Sequence, residues 1–470
     1  MRIIIGGAGR VGIALAKALS NDRYDLVIID NDSRAVSNAQ SLDCLVIHGS
    51  ITSRSTLLEA GIVNASVFVA ATPSDEANLI ACSIAEHAHE MEGGKDRLTS
   101  ICRLRESSYI EEFKEGYLTE WANVNHVVNP LRGAISRLNA GLRSTDLEEV
   151  ITFDHDAYVL EFDIGESARS IVNRPLGEVK DDFVHGLPNI VGVKRDGEKS
   201  FVPDDESVLQ IGDRIAVAVV GLDRFNPALI TFGHEATYFP ETPKVVIVGA
   251  TSNGTKMAED WLAHGASVTV LERDLTLANQ LAGSSIGGHS DIEVIHGDHL
   301  DKSILEEISI NTFDVALSAL DDDHANIAAV LMMADLGVTY TGLLLNDADL
   351  VKVTQRMGIS FAVDRHRVAV SNMLTHVHQS LSGHYALLAE IPDVVGFTLE
   401  VTERAKFAGK PVKDANFPDW MRPAFIKRMT LSGSWTSIEP KSDTLLLEND
   451  RVVVFCRQDR VAEVQKRFKV

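Results

Sequence analysis

Short runs of apolar, often β-branched residues punctuate the first third of the chain: Arg2–Gly6, Asp25–Asp30, Cys44–His48, Val67–Ala71, Thr99–Arg103 and Val124–Val128. Between them, apolar positions recur at the three-to-four-residue spacing of a helix buried along one stripe. That alternation predicts a parallel sheet covered by helices, and six such runs complete a Rossmann-type domain. The segment after Gly9 puts Ala14, Leu15, Ala18 and Leu19 on one face, as a helix packed on the sheet requires. Asn129-Pro130 reads as N-cap and first position of a later helix reaching about Leu142. Because it follows the last strand, that helix is placed to cross to a partner subunit.

The pattern occurs twice. Ile3-Ile4-Ile5-Gly6-Gly7-Ala8-Gly9-Arg10-Val11-Gly12 is echoed by Val245-Val246-Ile247-Val248-Gly249-Ala250-Thr251-Ser252-Asn253-Gly254, 242 residues later. Asp30 is answered by Glu272 at the same offset, whereas His48-Gly49 matches His296-Gly297 at an offset of 248. Roughly six residues are therefore inserted between them, and the glycine-rich stretch 283–288 is where a turn absorbs them. After each repeat the chain becomes rich in short apolar runs broken by turns, which predicts a small α+β module. Gly212-Asp213-Arg214 and Asn449-Asp450-Arg451 each turn into a strand of such a module. The expected architecture is α/β: a Rossmann domain at 1–145, a small module at 146–225, a linker at 226–242, a second Rossmann domain at 243–382 and a second module at 383–470.

Gly7-x-Gly9-x-x-Gly12 sits between a predicted strand and a predicted helix, the context in which this spacing carries meaning. Gly7 permits the tight turn, Gly9 lets a pyrophosphate approach the backbone, and Gly12 allows close helix packing. Asp30 stands 18 residues after Gly12 at a strand end, where a carboxylate accepts hydrogen bonds from ribose hydroxyls and repels a 2′-phosphate. NAD or an adenine nucleotide is thereby favoured over NADP. The second copy reads Gly249-x-Thr251-x-x-Gly254, so a β-branched residue replaces the middle glycine while Glu272 keeps the carboxylate. Occupancy of that second site stays open.

With 44 Lys and Arg against 67 Asp and Glu, the formal charge of −23 gives no basic footprint for nucleic acid. Four scattered cysteines, Cys44, Cys82, Cys102 and Cys456, form no C-x-x-C pair, so neither a zinc site nor a disulfide framework is indicated. A strand and glycine turn begin at once, leaving no room for a signal sequence, and a reducing cytoplasm fits. An NAD-dependent oxidoreductase is the rival reading, because one fold serves both classes. None of the seven tyrosines is followed four places on by lysine, which removes the short-chain dehydrogenase arrangement. His366, His376, His378 and His384 are read as ordinary polar positions rather than a metal or base set. Asp321-Asp322-Asp323 is read as a helix start in preference to a cation site.

Both repeats resemble the RCK family, also called KTN. The glycine turn, Asp30-Asn31, His48-Gly49, Ala71-Thr72-Pro73-Ser74-Asp75-Glu76-Ala77-Asn78-Leu79 and Ile101-Cys102-Arg103-Leu104-Arg105 carry the likeness, and the small modules resemble its RCK-C domain. The resemblance implies a nucleotide-binding regulator, not an enzyme, with NAD(H) or ATP/ADP as ligand and no metal. Its implied partners are an integral membrane potassium transporter of Trk type and further copies of itself, as a dimer or tetramer ring on the cytoplasmic face. Gly7, Gly9, Arg10, Val11 and Gly12 would line the phosphates and Asp30 the ribose, with Ala8 and Asn31 in the same site. Ala71, Thr72, Asp75 and Asn78 would form the opposite wall, with Arg103 near phosphate or in a surface ion pair. The family's Gly-Asp after the third strand appears as Gly49-Ser50 in the first repeat and Gly297-Asp298 in the second. The second repeat's fifth strand, read as 338–342, offers no clear counterpart of Arg103.

Overall fold

Strand formation follows the apolar runs. In the computed structural model, which describes residues 1–20, 24–153, 156–183, 186–378, 385–403, 405, 407–430, 432–461 and 463–464, six strands form the first sheet. These are β1 (Arg2–Gly6), β2 (Asp25–Asp30), β3 (Leu45–His48), β4 (Ala65–Ala70), β5 (Thr99–Arg103) and β6 (His126–Val128), ordered β3-β2-β1-β4-β5-β6 and all parallel. The order reverses beside β1, and at such a switch point a crevice opens outside the carboxyl ends of the strands. Helix α1 (Arg10–Leu19) leaves the glycine turn, and α2 (Asp75–Met91) follows β4. Helix α3 (Pro130–Gly141) follows β6, its start capped by Asn129, whose side chain accepts from the Leu131 amide at 2.8 Å.

A four-stranded antiparallel sheet comes next, ordered β7-β8-β10-β9 from β7 (Glu149–Phe153), β8 (Ala157–Asp163), β9 (Asn189–Lys194) and β10 (Arg214–Val220). Helix α4 (Phe225–Thr231) packs on it, with Phe225 edge-on to Tyr158. The second parallel sheet repeats the first, in the order β13-β12-β11-β14-β15-β16. Its strands are β11 (Lys244–Val248), β12 (Ser267–Glu272), β13 (Ile292–His296), β14 (Val315–Ser318), β15 (Tyr340–Leu345) and β16 (Phe361–Asp364). Its helices include α5 (Ser252–Ala263), α6 (Asp323–Asp335), α7 (Ala348–Arg356) and α8 (Arg365–Val377). The final sheet is antiparallel, ordered β17-β18-β21-β19-β20 from β17 (Tyr385–Leu387), β18 (Val394–Glu400), β19 (Met421–Met429), β20 (Trp435–Ile438) and β21 (Arg451–Arg457). The inserted residues of the second repeat fall in the turns between Ala282 and Ile292, as the glycine content indicated. Residues 379–384, including His384 and the expected start of the last module, lie outside the described residues.

The antiparallel sheets repeat each other down to one ion pair. Arg195 forks onto Asp213 at 2.8 and 2.7 Å, and Asp213 also accepts from the Gln210 amide. Arg428 forks onto Asp450 at 2.9 and 2.7 Å, and Asp450 accepts from the Leu447 amide. Each aspartate is about 2% exposed, so the bidentate pair fixes the turn that feeds β10 or β21.

The tail helices exchange places. The chain divides into two compact units, Met1–Leu131 with Arg365–Ser380, and Arg132–Asp364 with Leu381–Val470. Helix α8, which leaves the second sheet, therefore packs in the first unit, along α1 and against β5 and β6. From Arg132 onward, α3 belongs to the second unit. Its Leu138 and Leu142 lie where a side chain on Gly342 of β15 would stand, at 2.9 and 3.2 Å from a built Cβ, and Asn139 donates to Asp260 of α5 at 2.6 Å. The helix expected to reach a partner subunit thus docks on the other repeat of its own chain.

Candidate nucleotide-binding site

The first glycine turn is shaped by three different needs. Gly7 sits at φ +112°, in the region that favours glycine. A Cβ built on Gly12 would fall 1.8 Å from the Gly7 carbonyl oxygen, so only hydrogen fits there. A Cβ on Gly9 would meet nothing within 4 Å. The absence of a side chain at Gly9 serves no internal packing; it leaves open ground in front of the first amides of α1. Arg10 is exposed beside that ground, whereas Ala8 and Val11 are buried beneath it.

Asp30 ties the turn to the exit of β2. Its carboxylate accepts from the Ala8 amide at 2.6 Å and from the Asp32 amide at 2.8 Å. Its carbonyl accepts from Gly49, and His48 bonds the Asn31 carbonyl at 3.1 Å. Ser50 meets the Thr52 hydroxyl at 2.8 Å and accepts from the Thr52 amide, so it folds the loop after β3 on itself.

The opposite wall follows β4. Asn78 is wholly buried and spends its amide internally: it accepts from the Thr72 amide and hydroxyl and donates to the carbonyls of Thr72 and Arg103. It therefore holds Ala71-Thr72 in front of the Gly7 turn, where Ala71 and Thr72 backbone atoms stand 3.3 Å from a built Gly7 Cβ. Asp75, 3% exposed, accepts from the Arg105 and Glu106 amides at 2.8 and 2.9 Å. Both residues position the wall. Arg103 closes β5 with its Nε buried and, among the described residues, without a hydrogen-bond partner. Burial, then the charges of Arg105 and Arg365, lower its proton affinity to a pKa of about 10, against the opposing pull of Asp75. A buried cation with an unsatisfied donor suits an incoming anion.

The second copy keeps the frame and fills the space. Gly249 has φ +98°, a Cβ on Gly254 would fall 1.9 Å from the Gly249 carbonyl oxygen, and Glu272 accepts from the Ala250 and Asp274 amides at 2.6 and 2.7 Å. Thr251 occupies the place of Gly9, and its hydroxyl is buried without a partner among the described residues. Leu320 stands where the first repeat has Thr72, its Cδ2 at 2.8 Å from a Cβ built on Gly249. The fifth strand runs Tyr340–Leu345 rather than 338–342, and Asn326 donates to the Leu344 carbonyl as Asn78 does to that of Arg103. Leu344 is thus the counterpart of Arg103. Asp298 caps its own turn, accepting from the Leu300 amide at 2.9 Å. Asp322 caps α6 by accepting from the Ala325 amide, and Asp323 holds the amides of Asn346 and Asp347. The acidic run is therefore a helix start.

Family models match in two places. The TrkA-N domain model covers residues 3–130 and again 245–364, the two parallel sheets, and the TrkA-C domain model covers 397–469. The chain belongs to the TrkA-N domain family. It is similar along its whole length to the Trk system potassium uptake protein TrkA of Azorhizobium caulinodans, at 26% identity covering 100% of this chain and 99% of the relative. The TrkA of Haemophilus influenzae is 24% identical with the same coverage. Among solved structures, the GsuK RCK domain covers 100% of this chain and 95% of its own at 17% identity and a TM-score of 0.52. The GsuK channel bound to NAD covers 100% and 78% at 18% identity and the same TM-score. These likenesses show the fold: tandem TrkA-N Rossmann domains, each followed by an antiparallel module. Among the described residues, no helix is long and apolar enough to cross a membrane.

Sequence reading missed Leu320 and Leu344 as the residues that separate the two TrkA-N sites. Carrying the 248-residue offset past Ala319 would have flagged the first, whereas the second needed the observed strand register.

Proposed function

We propose that this chain is the nucleotide-binding regulatory subunit of a Trk-type potassium uptake system, a switch and not an enzyme. Its ligand is NAD(H) or ATP/ADP, bound in the first TrkA-N domain. Its partner is an integral membrane potassium transporter, which it meets as a homo-oligomer on the cytoplasmic face. The observation that carries this reading is the contrast between the repeats. One cradle is open over Gly9 and edged by Asp30 and the orphaned Arg103; the other is filled by Thr251 and Leu320 and has lost its cation to Leu344. We assign ligand binding to Gly7, Ala8, Gly9, Arg10, Val11, Gly12 and Asp30, with the Thr72 loop and Arg103 opposite. Gly249, Thr251, Gly254 and Glu272 keep the second repeat's architecture without a dinucleotide cradle. The full-length similarity to Trk system potassium uptake proteins TrkA and the likeness to the GsuK channel bound to NAD support the transport and ligand classes.

A nucleotide shifts a two-state assembly only by binding one state more tightly than the other, and a tenfold change in gating needs a difference of about 1.4 kcal/mol. Titration of the full chain with ATP, ADP, NAD and NADH tests the reading, together with Gly9→Asp in cells that depend on this uptake system. The variant is expected to fold, to lose nucleotide binding and to uncouple transport. Transport that still responds to nucleotide in Gly9→Asp would overturn the proposal, and steady nicotinamide turnover with a small substrate would favour the dehydrogenase.

A further inference from the structure

Helix α8 brings a basic residue into the first unit that the glycine-turn fingerprint does not include. Arg365 is its first residue, directly after β16. The other end of α8 is fixed at the amino-terminal edge of the first sheet. His376 stacks on His126, the first residue of β6, with ring centroids 4.2 Å apart at 15°, and the Tyr24 hydroxyl, just before β2, meets His378 Nδ1 at 3.2 Å. From Arg365 to His376 a helix rises about 16 Å, and a five-residue strand such as β5 spans about 16 Å. Packed along α1, α8 crosses the sheet from edge to edge. Arg365 therefore stands at the carboxyl edge, the same edge as the Gly7 turn and Arg103.

Two further observations point the same way. Arg365 is close enough to Arg103 for its charge to weaken proton binding there, alongside Arg105. Arg103 Nε, buried and without a hydrogen-bond partner among the described residues, is the donor an incoming anion would satisfy there. The internal repeat supplies a control. The helix that answers α8 begins with Pro130, and the strand end that answers Arg103 carries Leu344, so both basic residues are present at the open cradle and both are absent at the filled one.

We propose that Arg365, supplied by the second half of the chain, is a phosphate-binding residue of the first TrkA-N site and grips the distal phosphate of a nucleoside polyphosphate or dinucleotide together with Arg103. The proposal rests on the nucleotide reading above and names a residue of that same site. The planar guanidinium fork suits bidentate phosphate contact, which a lysine reproduces in charge but not in shape. A ligand so held bears directly on the helix by which the second TrkA-N domain is covalently joined to the first unit.

The test is calorimetric titration of the full chain with ATP, ADP and adenosine, for wild type, Arg365→Ala, Arg365→Gln, Arg365→Lys, Arg103→Ala and the Arg103→Ala/Arg365→Ala double variant. In Arg365→Ala and Arg365→Gln, affinity for ATP and ADP is expected to fall by about tenfold or more. Adenosine binding should stay at the wild-type level, Arg365→Lys should recover part of the loss, and the effect should be non-additive with Arg103→Ala. Unchanged ATP and ADP binding in both neutral variants overturns the proposal. Equal losses for adenosine and ATP also overturn it, since they mark a role in packing α8. Wild type that binds no nucleotide is a different result, and it strikes the functional reading itself.

Discussion

At the scale of single residues, the two glycines of the first turn make opposite predictions. Gly12 faces the Gly7 carbonyl oxygen so closely that a methyl group would stand 1.8 Å from it, and the turn that must yield is pinned by the Ala8–Asp30 hydrogen bond. Gly12→Ala is expected to destabilise the first unit by about 3 kcal/mol or more, at or beyond the upper end of the usual cost of overpacking. Gly9→Ala adds its methyl to open space and is expected to melt as wild type does while losing nucleotide affinity. Thermal unfolding without ligand, beside a nucleotide titration, separates the two. If Gly9→Ala melted early, or bound nucleotide normally, the assignment of its bare backbone to phosphate approach would be wrong. The steric need for glycine at positions 7 and 12 was legible from spacing alone, because the sterics of a strand–turn–helix junction admit few solutions. The filling of the second site by Leu320 was not, since an apolar residue in a loop announces burial but not what it covers.

At the scale of elements, β1, β2 and β5 begin and end where the apolar runs do, because central parallel strands are buried on both faces and read as continuous apolar sequence. The second fifth strand starts two residues later than the apolar run suggests because Val338 and Thr339 extend the β-rich run, while pairing starts only where Tyr340 meets Val315. The exchange of the tail helices was beyond sequence reading. An apolar stripe says that a helix is covered, not which of two near-identical sheets covers it. What fixes α8 is an apolar face of Val368, Ala369, Met373 and Leu374, closed by His376 and His378. Burial lowers the pKa of His376 to about 4, with the His126 charge adding to it, and burial alone does the same for His378. The unfolded chain therefore binds protons between about pH 6.5 and pH 4 that the folded chain refuses. Stability from this joint is full above pH 6.5 and is lost as pH falls towards 4. The first unit should melt progressively lower across that window, and His376→Phe, which keeps a stacking ring without a titrating nitrogen, should flatten the slope. Identical pH profiles for the two proteins would show that His376 is not what acid attacks.

At the scale of the molecule, the two antiparallel modules are not independent beads. Phe153 and Val159 of the first share a core with Phe425 and Phe455 of the second, and the fully buried Glu161 accepts from the Ala389 and Glu390 amides at 2.9 and 2.8 Å. A charged hub extends this junction to the second TrkA-N domain. Arg214 of β10 bonds Glu148, Asp163 and Glu390, each at 2.8 Å, Lys352 of α7 adds a bond to Glu390, and Gln355 of α7 donates to the Glu148 carbonyl. Three carboxylates share two cations, so one negative charge is surplus. Burial raises the pKa of Glu148 to about 7 in spite of Arg214, with Asp163 and Glu390 adding to the rise. Between about pH 4.5 and pH 7 the folded chain holds a proton that the unfolded chain releases, so this residue costs stability as pH rises through that window. Glu148→Gln removes the titration and leaves Arg214 its bonds to Asp163 and Glu390. Near pH 5 the variant is expected to melt with wild type, because Glu148 is largely protonated there. Near pH 8 it should melt at the same temperature or higher, since the surplus charge is gone. A variant that melts well below wild type at pH 8 but not at pH 5 would mean that the Arg214–Glu148 attraction outweighs burial, and that the junction is strongest, not weakest, when every carboxylate in it is ionised.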